Sequence, residues 1–183
     1  TPTYNVTGFV SGDTAASITN TGSAYNSAHV LAANTLTVSG LALSGITGSN
    51  SSAASDYSVN SSANVAATIT PASLSASLTN TGVTKVYDAS TAAPIGFTPT
   101  YSFSGLVSGD TSATLTNTGS AYDSAHVASA TQVTVSGIAL SSITGSNSSL
   151  ASDYSYSPGS LSVSATITPA SLIASLTNSG VTK

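Results

Sequence analysis

Apolar and hydroxyl-bearing side chains alternate along most of this chain. Leu161, Val163, Ala165 and Ile167 are interleaved with Ser162, Ser164, Thr166 and Thr168, the period-two signature of a strand with one buried face. Leu74, Ala76 and Leu78 alternate with Ser75, Ser77 and Thr79, and Leu172, Ala174 and Leu176 copy them. Shorter alternations occur at Tyr101 and Phe103, Ala113 and Leu115, and Tyr154 and Tyr156. Turn-forming stretches separate them: Ser108-Gly109-Asp110, Asn117-Thr118-Gly119, Thr144-Gly145-Ser146-Asn147 and Pro158-Gly159. The pattern predicts strands almost throughout, about six per repeat unit, with Ser and Thr on the solvent faces. The one helix candidate is residues 23–33 with its copy 120–130, whose alanines permit a turn or two. The apolar frame slips by one at Ser39-Gly40, from Leu36 and Val38 to Leu41 and Leu43. It slips again at Ser136-Gly137, from Val133 and Val135 to Ile138 and Leu140. A β-bulge at each glycine accounts for the slip; the rival account is two separate strands meeting there.

The chain also repeats itself. Thr1-Pro2-Thr3-Tyr4 recurs as Thr98-Pro99-Thr100-Tyr101, and Ser11-Gly12-Asp13-Thr14 as Ser108-Gly109-Asp110-Thr111. Residues 19–30 recur as 116–127 with a single change, Asn26 to Asp123. One inserted residue then shifts the offset, so that Thr68-Ile69-Thr70-Pro71 meets Thr166-Ile167-Thr168-Pro169 and Gly82-Val83-Thr84-Lys85 meets Gly180-Val181-Thr182-Lys183. A period of about 100 residues is one domain per repeat, not a solenoid of 20–50-residue units. The expected division is an incomplete unit, 1–70, lacking its opening strand; a complete unit, 71–168; and the opening strand of a further repeat, 169–183. The chain thus reads as a slice of a longer array. Boundaries are placed at Pro71 and Pro169 because proline cannot donate to a continuing central ladder.

Composition removes several function classes. Ser and Thr number 39 and 28 of 183 residues, and charged residues make up 4 %, with six Asp, no Glu, two Lys and no Arg. An average soluble domain carries about 25 %. Two cations leave a nucleic-acid binder without its electrostatic footprint and an anionic-membrane binder without its basic patch. The absence of Cys excludes thiolate metal sites, disulfides and cysteine nucleophiles. With a net charge of −4 and mean hydropathy of +0.26, the chain lacks the signature of disorder and reads as folded. No apolar run approaches the roughly 18 residues of a membrane span, and no basic segment precedes an apolar one as in a signal peptide.

Thr84-Lys85-Val86-Tyr87-Asp88, preceded by Thr79-Asn80-Thr81-Gly82-Val83, resembles the opening of YDG-type repeats, relatives of the MBG repeats found in tandem in large bacterial adhesins and secreted haemagglutinin-like proteins. Gly105-Leu106-Val107-Ser108-Gly109-Asp110, residues 136–141 and Ile167-Thr168-Pro169-Ala170 are similar too, so the resemblance covers most of one repeat. Ala89 departs from it, standing where the family usually has Gly, which implies a differently built turn after Asp88. The resemblance implies an extracellular stalk or adhesive repeat and a compact β-rich module, β-grasp-like or immunoglobulin-like. It implies no ligand.

The residues that bear chemistry each have a plain structural reading. His29 and His126 lie in equivalent Ala-Tyr-Asx-Ser-Ala-His-Val segments; no G-x-S-x-G elbow accompanies them, and they read as structural. Asp13, Asp110, Asp56 and Asp153 are too few and too scattered for a hard-cation site of six to eight oxygens, and read as turn caps. Lys85 and Lys183 are the only cations. A Lys–Asn isopeptide with Asn117 or Asn147 and Asp110 is conceivable, and a snorkelling side chain at a unit boundary is the simpler account. The Thr-x-Thr pairs Thr35/Thr37, Thr68/Thr70 and Thr114/Thr116 suggest ice binding only if adjacent strands repeat them. Tyr4, Tyr25, Tyr57 and Tyr87 read as core residues with hydroxyls at the surface.

The sequence-level reading is therefore an all-β protein of tandem small modules set head to tail as an elongated rod. Its expected role is a non-catalytic structural segment of an extracellular bacterial adhesin or biofilm matrix protein. It acts as a semi-rigid spacer and associates end to end with other copies by strand complementation. The alternative is a glycan- or protein-binding module with a shallow site on each repeat. No catalytic, cofactor-binding or metal-ligating residue is assigned, and neither nucleic-acid binding nor membrane insertion is expected.

Overall fold

The computed structural model describes residues 1–180 and 182–183; Val181, in the copied segment 180–183, lies outside them. The chain divides into two compact units, Thr1–Pro71 and Ala72–Lys183. The first has five strands: β1 (Asp13–Thr19), β2 (Gly22–Tyr25), β3 (Thr35–Ser39), β4 (Ala42–Gly48) and β5 (Ser62–Ala66). β1 pairs antiparallel with β4, and β2, β3 and β5 form a second antiparallel sheet in that order.

The second unit opens with β6 (Ala72–Leu78), β7 (Val83–Val86) and β8 (Tyr101–Ser104). It then repeats the first unit's pattern with β9 (Asp110–Thr116), β10 (Gly119–Tyr122), β11 (Gln132–Ser136) and β12 (Ala139–Gly145). It closes with β13 (Tyr154–Tyr156) and β14 (Ser160–Thr168). β9 pairs with β12, and β10, β11 and β14 form one sheet, as their counterparts do in the first unit. The opening strands add what the first unit does not have. β7 extends the larger sheet by pairing parallel with the end of β14, Ala165 opposite Val83 through Thr168 opposite Val86. β6 lies between β8, antiparallel, and β13, parallel. The four residues of β14 that meet β7 are the ones by which it outlasts β5.

Two cores follow from this pairing. In one, Val83 and Ile167 pack with Tyr122, Ala130, Val133 and Ala165. In the other, Leu74, only 2 % exposed, packs with Ala113 and Tyr154, flanked by Phe103, Leu106, Leu140 and Ile143. Burying a side chain such as Leu74 or Val133 contributes about 2 kcal/mol. The outer faces carry hydroxyl pairs in place of ion pairs: Ser77 with Ser102 at 2.8 Å, Thr79 donating to Thr100 at 2.9 Å, and Thr134 with Ser162 at 2.8 Å. Such cross-strand pairs are modest individually.

Several sequence expectations change here. The slip at Ser39-Gly40 and Ser136-Gly137 is not a bulge. β3 and β4, and likewise β11 and β12, are separate strands of different sheets. The chain turns between them through glycines at φ 65° and 63°. A Cβ at Gly137 would lie 2.2 Å from Thr118 Oγ1, whose hydroxyl donates to the Ser136 carbonyl. The helix candidates shrink to a single turn, with Ala33 and Ala130 N–H donating to the carbonyls of His29 and His126. Residues 23–25 and 120–122 belong instead to β2 and β10. Asn26 and Asp123 end each strand by accepting N–H bonds from Thr35 and Thr131. Among the described residues the strand count is nine in the second unit, not six, because four-residue strands such as β7 and β10 are too short for periodicity to reveal. Residues 169–180 form no strand despite copying β6; alternation alone does not create a strand that has no partner. A β-grasp packs a helix across its sheet, and the described residues hold no α-helix, only two 3-10 turns. The parallel β6–β13 and β7–β14 pairs also depart from an all-antiparallel immunoglobulin sandwich.

Leu74→Ala is expected to lower the unfolding free energy of the Ala72–Lys183 unit by about 3 kcal/mol, the usual cost of an unfilled core leucine, as measured by urea denaturation.

Candidate functional site

The signature segment 84–90 builds a small polar hub at the start of the second unit. The Lys85 side chain, 7 % exposed, donates from Nζ to Asp88 Oδ1 at 2.7 Å, to the Ser90 carbonyl at 2.8 Å and to Ser90 Oγ at 3.1 Å. It also lies 5.3 Å from the centre of the Tyr122 ring, within cation–π range. Lys85 therefore does not snorkel. Its charge is buried because three oxygens and a ring face replace water. The Lys85 ammonium, together with the Ser90 N–H and hydroxyl, holds the Asp88 carboxyl at about 2, against an ordinary 3.8. Asn147 donates instead to the Ser108 carbonyl at 2.9 Å, so lysine and asparagine serve separate networks. Ala89 adopts φ 62°, the left-handed conformation that glycine takes without cost. The turn is closed by Asp88 Oδ1, which accepts from the Ser90 N–H and hydroxyl.

A second feature occurs in both units. Asp110, buried, accepts from the Tyr154 hydroxyl at 2.6 Å, and that hydroxyl accepts from the Val107 N–H at 2.9 Å. In the first unit Asp13 accepts from Tyr57 at 2.6 Å and from Ser52 at 2.7 Å, while Tyr57 accepts from Val10 N–H at 3.0 Å. These aspartates are not turn caps. They pin the start of β1 or β9 to a tyrosine more than forty residues later in the chain. The Tyr57 and Ser52 hydroxyls hold the Asp13 carboxyl below its ordinary range against the opposing effect of burial. Burial first, then the bond to Asp110, pushes the Tyr154 hydroxyl up. Asp56 and Asp153 do cap turns, accepting from the Ala53 and Leu150 N–H groups at 2.8 Å.

The units differ where the opening strands would pack. In the first unit a cleft of 240 Å³ lies over β1 and β4. Its walls include Ala16, Ile46 and Tyr57, the copies of Ala113, Ile143 and Tyr154. Val6, Phe9 and Leu43, the copies of Phe103, Leu106 and Leu140, complete them. In the second unit these same positions surround Leu74 of β6. The other core shows the same contrast. Tyr122, packed with Val83 of β7, is 4 % exposed, whereas its copy Tyr25 is 44 % exposed. The expectation that Tyr25 is a core residue fails for this reason; Tyr87, at 38 %, is likewise exposed.

The remaining candidates are scattered. His29 and His126 sit in the single turns after β2 and β10, their N–H groups bonded to Ser27 and Ser124 Oγ. No group of three or more metal-ligating side chains occurs among the described residues. The threonine pairs do not form one ladder: Thr35 and Thr37 lie on β3, Thr114 and Thr116 on β9, and Thr68 and Thr70 outside any strand.

Because the folded Asp88 carboxyl lies below its ordinary value, its ionised form stabilises the fold above about pH 4, and that contribution is lost as pH falls toward 2. The urea midpoint of the Ala72–Lys183 unit should fall across this window. In Asp88→Asn the fall should be shallower, from a lower starting stability at neutral pH because the Lys85 charge loses its partner.

Comparison with curated proteins and with solved structures gave no match. A family match spans both opening strands and ends at the first residue of β14: the chain carries a YDG domain at residues 70–160.

Proposed function

We propose that this chain is a non-catalytic structural segment of an extracellular bacterial surface or matrix adhesin, in which units like Ala72–Lys183 follow one another as a semi-rigid spacer. The near-duplication of a whole domain and the YDG match at residues 70–160 support a repeat role. The observation that carries the mechanical part is the connection. β5 ends at Ala66 and β6 begins at Ala72, with Pro71 immediately before it. At the copied junction β14 runs to Thr168, directly before Pro169. The link between the last strand of the first unit and the first strand of the second is therefore the five residues 67–71. Proline fixes φ near −65° and keeps the preceding residue extended, so such a link lacks the freedom of a Gly/Ser coil.

On this reading the chain extends rather than coils. With 4 % charged residues, its extension has little electrostatic repulsion for salt to screen. Small-angle scattering of a four-repeat polypeptide should give a maximum dimension that grows almost linearly with repeat number and changes little between low and high salt. A length growing as the square root of repeat number would refute the spacer. A ligand captured reproducibly on glycan arrays and lost on mutation of one loop would favour the adhesive-module alternative instead.

A further inference from the structure

We infer that the Ala72–Lys183 unit is built to carry tension, its two parallel strand pairs acting as a shear clamp. The inference rests on the spacer reading for the direction of the load: force enters at Ala72, through Pro71, and leaves at Thr168, through Pro169. β7 is then drawn toward its N-terminus, through residues 79–82 and β6, while β14 is drawn toward its C-terminus. The two strands are parallel, with Val83, Thr84, Lys85 and Val86 opposite Ala165, Thr166, Ile167 and Thr168. The two pulls therefore run in opposite directions along the strands. Hydrogen bonds between parallel strands are evenly spaced and cross from one strand to the other. Sliding one strand past the other loads all of them together, whereas a pair pulled apart at one end yields one bond at a time.

β6 and β13 stand in the same relation. Ala72, Ser73 and Leu74 lie parallel to Tyr154, Ser155 and Tyr156. β6 is pulled at its N-terminus, and β13 at its C-terminus through Ser157-Pro158-Gly159 and β14. Further bonds cross the β7–β14 seam. Thr168 Oγ1 donates to the Lys85 carbonyl at 3.2 Å, Thr166 Oγ1 to Thr84 Oγ1 at 3.4 Å, and the Tyr87 N–H to the Thr168 carbonyl at 2.8 Å. Tyr122 holds both loaded strands: its hydroxyl donates to the Thr166 carbonyl at 3.1 Å, and its ring faces the Lys85 ammonium. Sliding would also draw Val83 from its contacts with Ile167 and Ala165 in one core and Leu74 from the other. Exposure of that apolar surface adds to the bonds that must break. Every residue of the clamp lies within 72–168.

The chain has no cysteine, so the full 183-residue protein can be held at two introduced thiols and stretched by single-molecule force spectroscopy. With Thr70→Cys and Ala170→Cys, the second unit alone bears load in the direction of the array. With Tyr87→Cys and Ala170→Cys, the adjacent ends of β7 and β14 are pulled apart and the pair opens from one end. The first arrangement should yield at a force about twofold higher or more, because four residue pairs share the load. Equal forces in the two arrangements overturn the proposal. In the first arrangement Val83→Ala should lower the force. Ile138→Ala truncates a buried side chain that belongs to neither core; it should lower the urea midpoint by more and leave the force unchanged. Force that follows the urea midpoint across both variants also overturns the proposal, since resistance would then reflect general stability. Clamp and spacer fail separately. Repeats that scatter as a rod but yield equally in both arrangements refute only the clamp, and repeats that scatter as a coil but yield unequally refute only the spacer.

Discussion

The Ala72–Lys183 unit depends on its first strands being clasped by its last. β6 and β7 are made before the rest of the unit, and each finds a parallel partner, β13 or β14, near the other end of the chain segment. Parallel neighbours cannot be joined by a tight turn, so each pair ties together segments some eighty residues apart in the chain. In a unit this poor in aromatics and charge, that closure is what makes both cores. Leu74 seals one and Val83 seals the other. The comparison between the units isolates the effect, since nearly the same side chains surround Leu74 in one and line a cleft in the other.

Polar groups reinforce the clasp. The buried Asp110 and the Tyr154 hydroxyl tie the start of β9 to the start of β13, and β13 is the strand that holds β6. Lys85 on β7 reaches back to Asp88 and Ser90 and over Tyr122 on β10. Lys85 has its hydrogen bonds supplied within five residues, whereas Asp110 accepts at one oxygen from Tyr154 and keeps its other, buried oxygen without a hydrogen-bond partner among the described residues. Serine and threonine line much of the exposed strand faces, where some of their hydroxyls pair across strands. The fold therefore owes little of its cohesion to surface ion pairs.

Much of this was legible in the residues. The period-two alternation located β6, β8, β9, β13 and β14, the two halves were visible as copies, and the Thr-Lys-Val-Tyr-Asp segment marked a YDG-type opening. The site was less legible. Asp13 and Asp110 lie in turn-like Ser-Gly-Asp-Thr segments, and nothing local indicates that their carboxylates meet Tyr57 and Tyr154 more than forty positions away. Lys85 looked like a surface cation for a similar reason, because the groups that bury it, Tyr122 among them, come from another strand.

What the sequence determined by itself is the strand character, the turns, the copied domain and the poverty of charge, all of which are local or self-referential properties. Only the tertiary structure decided which strand lies beside which, because alternation specifies a buried face but not a partner, and a parallel pair leaves no turn motif to read. It also decided that the frame slip at Gly40 and Gly137 is a passage between sheets rather than a bulge, two outcomes with the same one-residue shift. Most plainly, it separated copies of one sequence: Tyr122 is buried and Tyr25 exposed, β6 is a strand and residues 170–176 are not. Burial and pairing belong to the neighbours a segment meets, and identical residues with different neighbours adopt different states.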